Sequence, residues 1–200
     1  SYYDRKLRMP EGVSWGAYAE AGLPVYGKTL GIIGMGRIGQ ALARRAVASG
    51  MDIIYHNRNR LSREIEELYN ANYVSLDNLL RTADYISLNA PSTKETHHMI
   101  GKRELYMMKP TAVFINTARG DMVDERALAQ ALKEKRIWAA ALDVFENEPY
   151  IFPELLTLDN VILTPHAGTK TMEDRINMSI EMSRNIVGFY EGIFPVSRVN

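Results

Sequence analysis

Residues 30–39 read Leu-Gly-Ile-Ile-Gly-Met-Gly-Arg-Ile-Gly, and this stretch decides the fold. Gly34, Gly36 and Gly39 form a G-x-G-x-x-G pattern that follows an apolar run and opens a helix-like run. We expect Gly34 to permit a tight turn, Gly36 to let the backbone approach a pyrophosphate, and Gly39 to let the helix pack on the strand. The pattern therefore predicts a strand, a phosphate-binding turn and a helix in succession.

The residues after this turn indicate which dinucleotide is bound. Arg37 and Ile38 open the helix, whose N-terminus would offer unpaired N–H groups to a phosphate. About 20 residues further on, an acidic side chain would favour NAD(H), but the sequence there is Asn-Arg-Asn-Arg. Asn57 does not repel a 2′-phosphate, and Arg58, with Arg60 as a second candidate, is able to pair with one. We predict a preference for NADPH over NADH; the alternative is an ordinary solvated turn, with NAD(H) used as well.

Short β-like runs alternate with helix-like runs along the rest of the chain. Seven apolar, β-branched runs predict strands at 29–33, 53–55, 73–74, 85–88, 112–116, 138–142 and 161–163. Helical patterns occur at 38–49, 62–69, 76–81, 102–108, 124–133 and 172–190. Most strand runs are continuously apolar, as expected where helices cover both faces of a sheet. The predicted fold is α/β, a Rossmann-type doubly wound parallel sheet of about seven strands.

The predicted last helix, 172–190, has apolar residues on more than one face. Ile176, Ile180 and Val187 share one face, and Met178 and Met182 lie beside it. Methionine fills irregular gaps in cores but also lines promiscuous binding grooves. We predict that this helix packs on a core and that its methionines fill gaps there.

Composition limits the class of protein. The 200 residues are 46% apolar, enough for one substantial core. We divide them into a connector arm at 1–27, a dinucleotide-binding domain at 28–192 and a tail at 193–200. Basic and acidic residues are equal at 24 each, which argues against nucleic acid and anionic membranes as partners. The absence of cysteine and of a long apolar run leads us to expect a cytoplasmic protein.

Three later segments carry more specific information than the fold. They read Asn-Thr-Ala-Arg-Gly-Asp at 116–121, Leu-Asp-Val-Phe-Glu-Asn-Glu-Pro at 142–149 and Leu-Thr-Pro-His-Ala-Gly at 163–168. Together with the glycine turn and the Val-Asp-Glu helix start at 123–125, they closely resemble the D-2-hydroxyacid dehydrogenase family. The resemblance runs from about Tyr26 to the end of the chain.

The resemblance implies a role for each segment. Arg119 would bind the carboxylate and carbonyl of the substrate, His166 would donate a proton, and Glu148 would be the partner of that histidine. Asp143 would hold the nicotinamide carboxamide. Further cofactor contacts are implied at Ala90, Pro91, Thr96, Thr117, Ala118 and Gly168, besides Arg119 and His166 themselves. Many members have a histidine before a Pro-Leu-Thr loop, whereas this chain reads Asn-Ala-Pro-Ser-Thr at 89–93, so the contacts of that loop stay open.

The chemistry of 2-keto acid reduction suits these residue types. It needs a hydride donor, a cation that neutralises the carboxylate and polarises the ketone, and an acid that protonates the new alkoxide. An arginine fork engages two oxygens at once, and the ordinary pKa of histidine, about 6.5, lies near working pH. Arg119, Glu148 and His166 each follow a predicted strand, so we expect all three at the carboxyl edge of the sheet. We predict an NADPH-dependent reductase of the glyoxylate or hydroxypyruvate type.

Other functions remain open beside this one. An NAD-linked dehydrogenase of another small acid, or a nicotinamide-sensing module like the corepressors of the family, would use the same scaffold. Formate oxidation is disfavoured, because the formate enzymes have glutamine where this chain has Glu148. We assign no metal site to the adjacent His97 and His98, because no third ligand follows at a suitable spacing.

The resemblance also implies a second domain and a partner subunit. Family members close a flavodoxin-like substrate domain over the cofactor, and residues preceding Ser1 would build most of it. We therefore expect these 200 residues to bind cofactor but to turn over substrate poorly. We also expect a homodimer formed through the nucleotide-binding domain.

Overall fold

The structure is a computed structural model that describes residues 8–9 and 22–193. Most of the predicted arm at 1–27 and almost all of the tail at 193–200 lie outside the described residues, and their assignment stays a prediction. The chain divides into two compact units, the first ending at Pro165 and the second beginning at His166.

The first unit is built on parallel strands that alternate with helices. The strands are β1 (Thr29–Ile33), β2 (Asp52–His56), β3 (Ala71–Tyr73), β4 (Tyr85–Leu88), β5 (Val113–Asn116), β6 (Ala139–Leu142) and β7 (Val161–Leu163). The helices are α1 (Arg37–Ala48), α2 (Arg63–Tyr69), α3 (Leu76–Thr82), α4 (Lys102–Met107) and α5 (Glu125–Lys133). Two 3₁₀ turns, Gly120–Met122 and Pro153–Thr157, were not predicted.

The sheet has the strand order β3-β2-β1-β4-β5-β6-β7, with every neighbouring pair parallel. The predicted doubly wound α/β fold is confirmed. Because β1 has β2 on one side and β4 on the other, the strand order reverses at β1. A crevice opens beyond the carboxyl ends of the strands at such a reversal, and ligands bind there in folds of this class.

Alternate residues of β1 face opposite sides of the sheet, which explains its unbroken apolar sequence. Ile32 belongs to one buried cluster together with Ala43 of α1, and Ile33 belongs to another with Leu79 and Phe114. Both isoleucines are almost completely buried. The two clusters hold β1, and hence the glycine turn that follows it, from both faces.

The long last helix, α6 (Met172–Tyr190), belongs to the second unit. Its predicted bounds are confirmed, but the prediction that its methionines fill a core is wrong for the described residues. Met178 and Met182 are 51% and 61% exposed, and no residue of α6 is buried. Because α6 is the one regular element described in its unit, that unit offers no second layer to cover it. No helix within the described ranges combines the length and apolar character needed to cross a membrane.

Candidate active site

Gly34, in the turn after β1, and Gly39, in the first turn of α1, are required by the backbone around them. Gly34 has φ +92°, and a Cβ there would lie 2.4 Å from the backbone nitrogen of Ala90. A Cβ on Gly39 would lie 2.6 Å from the carbonyl oxygen of Gly34 and 3.1 Å from Cγ2 of Ile32. A larger residue at either position would push α1 or the loop after β4 away from the turn. These glycines therefore set the shape of the crevice.

Gly36 is different, because the space around it is open. A Cβ at Gly36 would meet no atom within 4 Å. Gly36 is also the N-cap of α1, with no side-chain capping bond and no acidic residue in the first turn of the helix. Arg37 and Ile38 are exposed beside it, Ile38 at 72%. The N–H groups and the positive partial charge of the helix end are therefore accessible, and both favour the binding of a phosphate.

The end of β2 is joined to the same turn. The side-chain oxygen of Asn57 accepts the backbone N–H of Met35 at 2.7 Å, and the carbonyl oxygen of His56 accepts the N–H of Gly34 at 3.0 Å. The hydroxyl of Tyr73 donates to the carbonyl oxygen of Asn57 at 3.2 Å. These bonds place the 57–60 corner beside the glycine turn.

The two arginines of this corner have different surroundings. Arg60 donates two hydrogen bonds to Glu66, at 2.9 and 2.8 Å, and lies 5.8 Å from the centre of the Tyr73 ring. Glu66 also accepts the hydroxyl of Tyr55 at 2.7 Å. The bonds from Arg60 and Tyr55 lower the pKa of Glu66 to about 2, and burial raises the pKa of Tyr55 to about 12. Arg58 is exposed and forms no hydrogen bond within the described ranges.

The loop after β4 closes the other side of the crevice. Its first residue, Asn89, donates its backbone N–H to the carbonyl oxygen of Ile33 at 2.7 Å, which holds the loop beside β1. The hydroxyl of Thr96 donates to the carbonyl oxygen of Pro91 at 2.9 Å and accepts the N–H of Thr93 at 2.8 Å. Thr96 therefore folds the loop on itself, and Ala90 and Pro91 lie at its start.

Arg119 lies in a loop at 116–122, the Arg119 loop, which starts at the last residue of β5. The buried side chain of Asn116 shapes this loop. Its amide nitrogen donates to the carbonyl oxygen of Arg119 at 2.9 Å, and its oxygen accepts the N–H of Ala118 at 3.0 Å. Arg119 is exposed and donates from Nη1 to the carbonyl oxygen of Ala118 at 2.7 Å, and Thr117 is exposed beside it. The sequence motifs assign no role to Asn116, although a polar residue at the end of a buried strand is a usable signal for one.

Asp143 follows β6 and is held from both sides. Its backbone N–H donates to the carbonyl oxygen of Asn116 at 3.0 Å, and its carboxylate accepts the hydroxyl of Thr164 at 2.5 Å. Thr164 directly follows β7, and its N–H donates to the carbonyl oxygen of Leu142 at 2.9 Å. Asp143 thus links the carboxyl ends of three neighbouring strands.

Glu148 lies in the irregular segment 143–150, the Glu148 segment. Its Oε1 accepts the backbone N–H of Phe145 at 3.0 Å, and the residue is exposed. The Arg119 loop touches this segment directly, because a Cβ on Gly120 would lie 1.9 Å from the carbonyl carbon of Phe145. The structure therefore brings the Arg119 loop and the Glu148 segment together at the carboxyl edge of the sheet.

His166 is the first residue of the second unit, and Gly168 belongs to that unit as well. The backbone of His166 lies in the left-handed region, with φ 49°. The chain reaches it through Thr164 and Pro165, which follow β7 in the first unit.

The sequence matches the family model described as D-isomer specific 2-hydroxyacid dehydrogenase, NAD binding domain, over residues 2–168. A glyoxylate reductase of Thermococcus gammatolerans is 50% identical over 190 residues, which cover 95% of this chain and 57% of the relative. The chain therefore spans a little over half the length of this relative.

Solved structures agree with this match. A glyoxylate reductase from Paecilomyes thermophila has 46% identity and a TM-score of 0.81, covering 87% of this chain and 52% of that one. The holo form of Rhodotorula graminis D-mandelate dehydrogenase has 32% identity and a TM-score of 0.89, covering all of this chain and 61% of that one. The resemblance deduced from the motifs is confirmed, and the chain belongs to the D-isomer specific 2-hydroxyacid dehydrogenase family through its NAD-binding domain.

Proposed function

We propose that this chain binds NADPH and forms the cofactor-binding part of an oxidoreductase that reduces a small 2-keto acid to the D-2-hydroxy acid. The observation that carries the proposal is the contact of Gly120 with Phe145, which sets the Arg119 loop beside the Glu148 segment at the carboxyl edge of the sheet. The glycine turn opens at the same edge. The names of the glyoxylate reductases that the chain resembles support glyoxylate or a related acid, such as hydroxypyruvate, as substrate.

The crevice suits a dinucleotide along its length. The open space at Gly36 and the uncapped N-terminus of α1, with Arg37 and Ile38, would hold the pyrophosphate. Asn57 offers no negative charge to the ribose, and the exposed Arg58 would pair with a 2′-phosphate. We assign the nicotinamide end to Ala90, Pro91, Thr96, Thr117, Ala118, Asp143 and Gly168, with Arg119 and His166.

A bound nicotinamide would supply the hydride, and the protein would supply charge and a proton. The guanidinium of Arg119 uses one N–H on Ala118, and its other N–H groups would engage the carboxylate and the ketone oxygen of the substrate. Drawing electron density toward the ketone oxygen makes the carbon easier to reduce. The side chain of Asn116 positions this loop through its hydrogen bonds to the backbone of Ala118 and Arg119.

His166 would donate the proton that neutralises the new alkoxide, with Glu148 as its partner. The N–H of Phe145 donates a hydrogen bond to one oxygen of the Glu148 carboxylate and fixes its position. We propose that the other oxygen accepts a hydrogen bond from His166. A carboxylate partner selects the tautomer and orientation of an imidazole and stabilises its charged form. A positioned acid of this kind contributes roughly 10²- to 10⁴-fold in rate.

The first experiment is calorimetric titration of this chain with NADPH and with NADH at matched salt. Tighter binding of NADPH supports the cofactor assignment, whereas tighter binding of NADH favours an NAD-linked dehydrogenase or a nicotinamide sensor. Turnover of glyoxylate and hydroxypyruvate is then measured in the full-length protein. Unchanged kcat in His166→Ala would remove the proton-donor assignment. The predicted homodimer is tested on the same sample by size-exclusion chromatography with light scattering.

A further inference from the structure

The Glu148 segment has almost no regular structure, so side-chain contacts must hold it. Between the end of β6 and the 3₁₀ turn that starts at Pro153, only an isolated bridge between Asn147 and Tyr150 is regular. A loop without a ladder of backbone bonds opens easily unless other groups hold it. What fixes its backbone therefore decides where Glu148 lies.

One such group is the carboxylate of Glu125, the first residue of α5. Glu125 is only 5% exposed, and its Oε1 accepts the backbone N–H of Glu146 at 2.8 Å. The N–H of Phe152 also interacts with this carboxylate. The two backbone groups lie on either side of Glu148 in the chain, so one buried side chain holds both ends of the stretch that carries it.

Glu125 is not needed to start its own helix. Asp124 is the N-cap of α5, and its side chain accepts the N–H of Ala127 at 2.9 Å. Burial disfavours the charged form of the Glu125 carboxyl and raises its pKa. The backbone N–H groups of Glu146 and Phe152 offset that cost. The Glu125 carboxylate therefore stabilises the chain around Glu148 and is not needed to cap α5.

The second group is His98, at the end of the loop after β4. Its Nε2 lies 2.7 Å from Oε1 of Glu146, and its backbone N–H donates to the carbonyl oxygen of Asp121 at 2.9 Å. Asp121 belongs to the Arg119 loop and accepts the hydroxyl of Ser92 at 2.6 Å. The backbone of His98 has φ 49°, a region that residues with a side chain rarely adopt without holding contacts. His98 thus connects the loops that follow β4, β5 and β6.

We propose that His98 and Glu125, acting on Glu146, are positioning residues that hold the Glu148 segment against the Arg119 loop. We call His98, Glu125 and Glu146 the loop brace. The inference rests on the proposed function insofar as Glu148 acts in the reaction. We assign the loop brace no contact with substrate or cofactor. It fixes the distance between the loop that binds the substrate carboxylate and the segment that supports the proton donor.

The test compares His98→Ala, His98→Gln and Glu125→Gln with the wild type in the full-length protein. Glu104→Gln is a matched control, because Glu104 is also a carboxylate that accepts a backbone N–H, that of Gly101 at 3.1 Å, but at the start of α4. We expect His98→Ala to lower kcat roughly tenfold, less than the 10²-fold that a displacement of about 1 Å can cost, with little change in the Kd of NADPH. His98→Gln should recover most of kcat, since its amide N–H is able to donate to Glu146.

Amide hydrogen exchange of residues 143–150 in this chain supplies a readout that does not depend on turnover. The Glu146 amide should exchange roughly five- to tenfold faster in Glu125→Gln, because a bond to a neutral acceptor is weaker, and should be unchanged in Glu104→Gln. Normal kcat in His98→Ala, or a loss that follows melting temperature and is not recovered by His98→Gln, would overturn the proposal. If the wild type reduces no 2-keto acid, the proposed function fails. Unchanged exchange in His98→Ala and Glu125→Gln would still refute the loop brace by itself.

Discussion

The side-chain oxygen of Asn57 accepts the backbone N–H of Met35 at 2.7 Å, which ties the corner after β2 to the turn between β1 and α1. Asn57 therefore has two tasks. It holds the glycine turn in place, and it leaves the position that reads the ribose without a negative charge. The first task needs only an oxygen acceptor, whereas the second depends on charge, so a substitution is able to separate them.

We predict that Asn57→Asp keeps the fold and loses the preference for NADPH. Aspartate retains an acceptor for the Met35 N–H, but its charge would repel a 2′-phosphate and favour the free 2′-hydroxyl of NADH. The ratio of the two Kd values should shift toward NADH by roughly tenfold or more, about 1.4 kcal/mol, in calorimetric titrations. Asn59→Asp adds the same charge two residues away and is the control. Equal shifts in both variants would mean that the net charge of the corner, and not the residue at position 57, sets the preference between NADPH and NADH.

Arg58 and Arg60 should contribute unequally to NADPH binding. Arg60 is held by two hydrogen bonds to Glu66, whereas Arg58 is exposed with no hydrogen bond among the described residues. Moving Arg60 to a phosphate would require breaking its pair with a carboxylate. We expect Arg58→Ala to weaken NADPH binding roughly tenfold or more and NADH binding little, and Arg60→Ala to alter their ratio less. A larger effect of Arg60→Ala would show that Arg60 is the main phosphate ligand.

Substitutions at two glycines of the site should have different effects, one on NADPH binding and the other on stability. In Gly36→Ala the new Cβ lies in open space, on an extended backbone with a negative φ of −79°, so the melting temperature should stay unchanged. The added methyl group should nevertheless obstruct the approach of a pyrophosphate. Gly120→Ala would place its Cβ 1.9 Å from the Phe145 backbone and should lower the free energy of unfolding by about 2 kcal/mol or more. Thermal unfolding and NADPH titration of both variants test this. Unimpaired NADPH binding by Gly36→Ala would remove the pyrophosphate from this turn.

The fold was predictable because local signals agreed with one another. The continuous apolar run of β1 and the spacing of Gly34, Gly36 and Gly39 indicate a buried parallel strand that enters a helix. Neighbouring elements repeat the same alternation, so the helices follow from their apolar periodicity and the strands from short, β-branched apolar runs. Strand ends differ by a residue or two, since ends depend on individual hydrogen bonds and caps.

The contacts between loops were not predictable in the same way. Glu125 looks like an ordinary acidic residue in the first turn of a helix, yet it is buried because the strand order brings the segment after β6 over the start of α5. The bond of Asn57 to Met35 spans 22 residues and depends on the register of β1 with β2. The exposure of α6 could not be deduced from its apolar residues, because periodicity shows which faces are apolar and not what covers them.

Glu66 should stabilise the domain only while it is ionised. Its ordinary pKa is 4.5, and the hydrogen bonds from Arg60 and Tyr55 lower the pKa to about 2 in the folded state. A carboxyl whose pKa is lower in the folded state than in the unfolded state stabilises the fold above the unfolded pKa. That contribution is lost as the pH falls through the folded pKa. The contribution of Glu66 should therefore be complete above about pH 5 and should fall away between pH 4.5 and 2.

Glu66→Gln tests this dependence, because the amide oxygen is still able to accept the hydroxyl of Tyr55 while the charge that holds Arg60 is gone. The variant should melt at a lower temperature than the wild type at neutral pH, and the difference should shrink steadily from pH 4.5 toward pH 2. Glu67→Gln is the matched control, since Glu67 forms an exposed pair with Arg63 at 2.7 Å on the same helix and should matter little at any pH. A difference that stays constant across this range would mean that Glu66 stabilises the corner through shape and hydrogen bonding, and that its charge makes no net contribution.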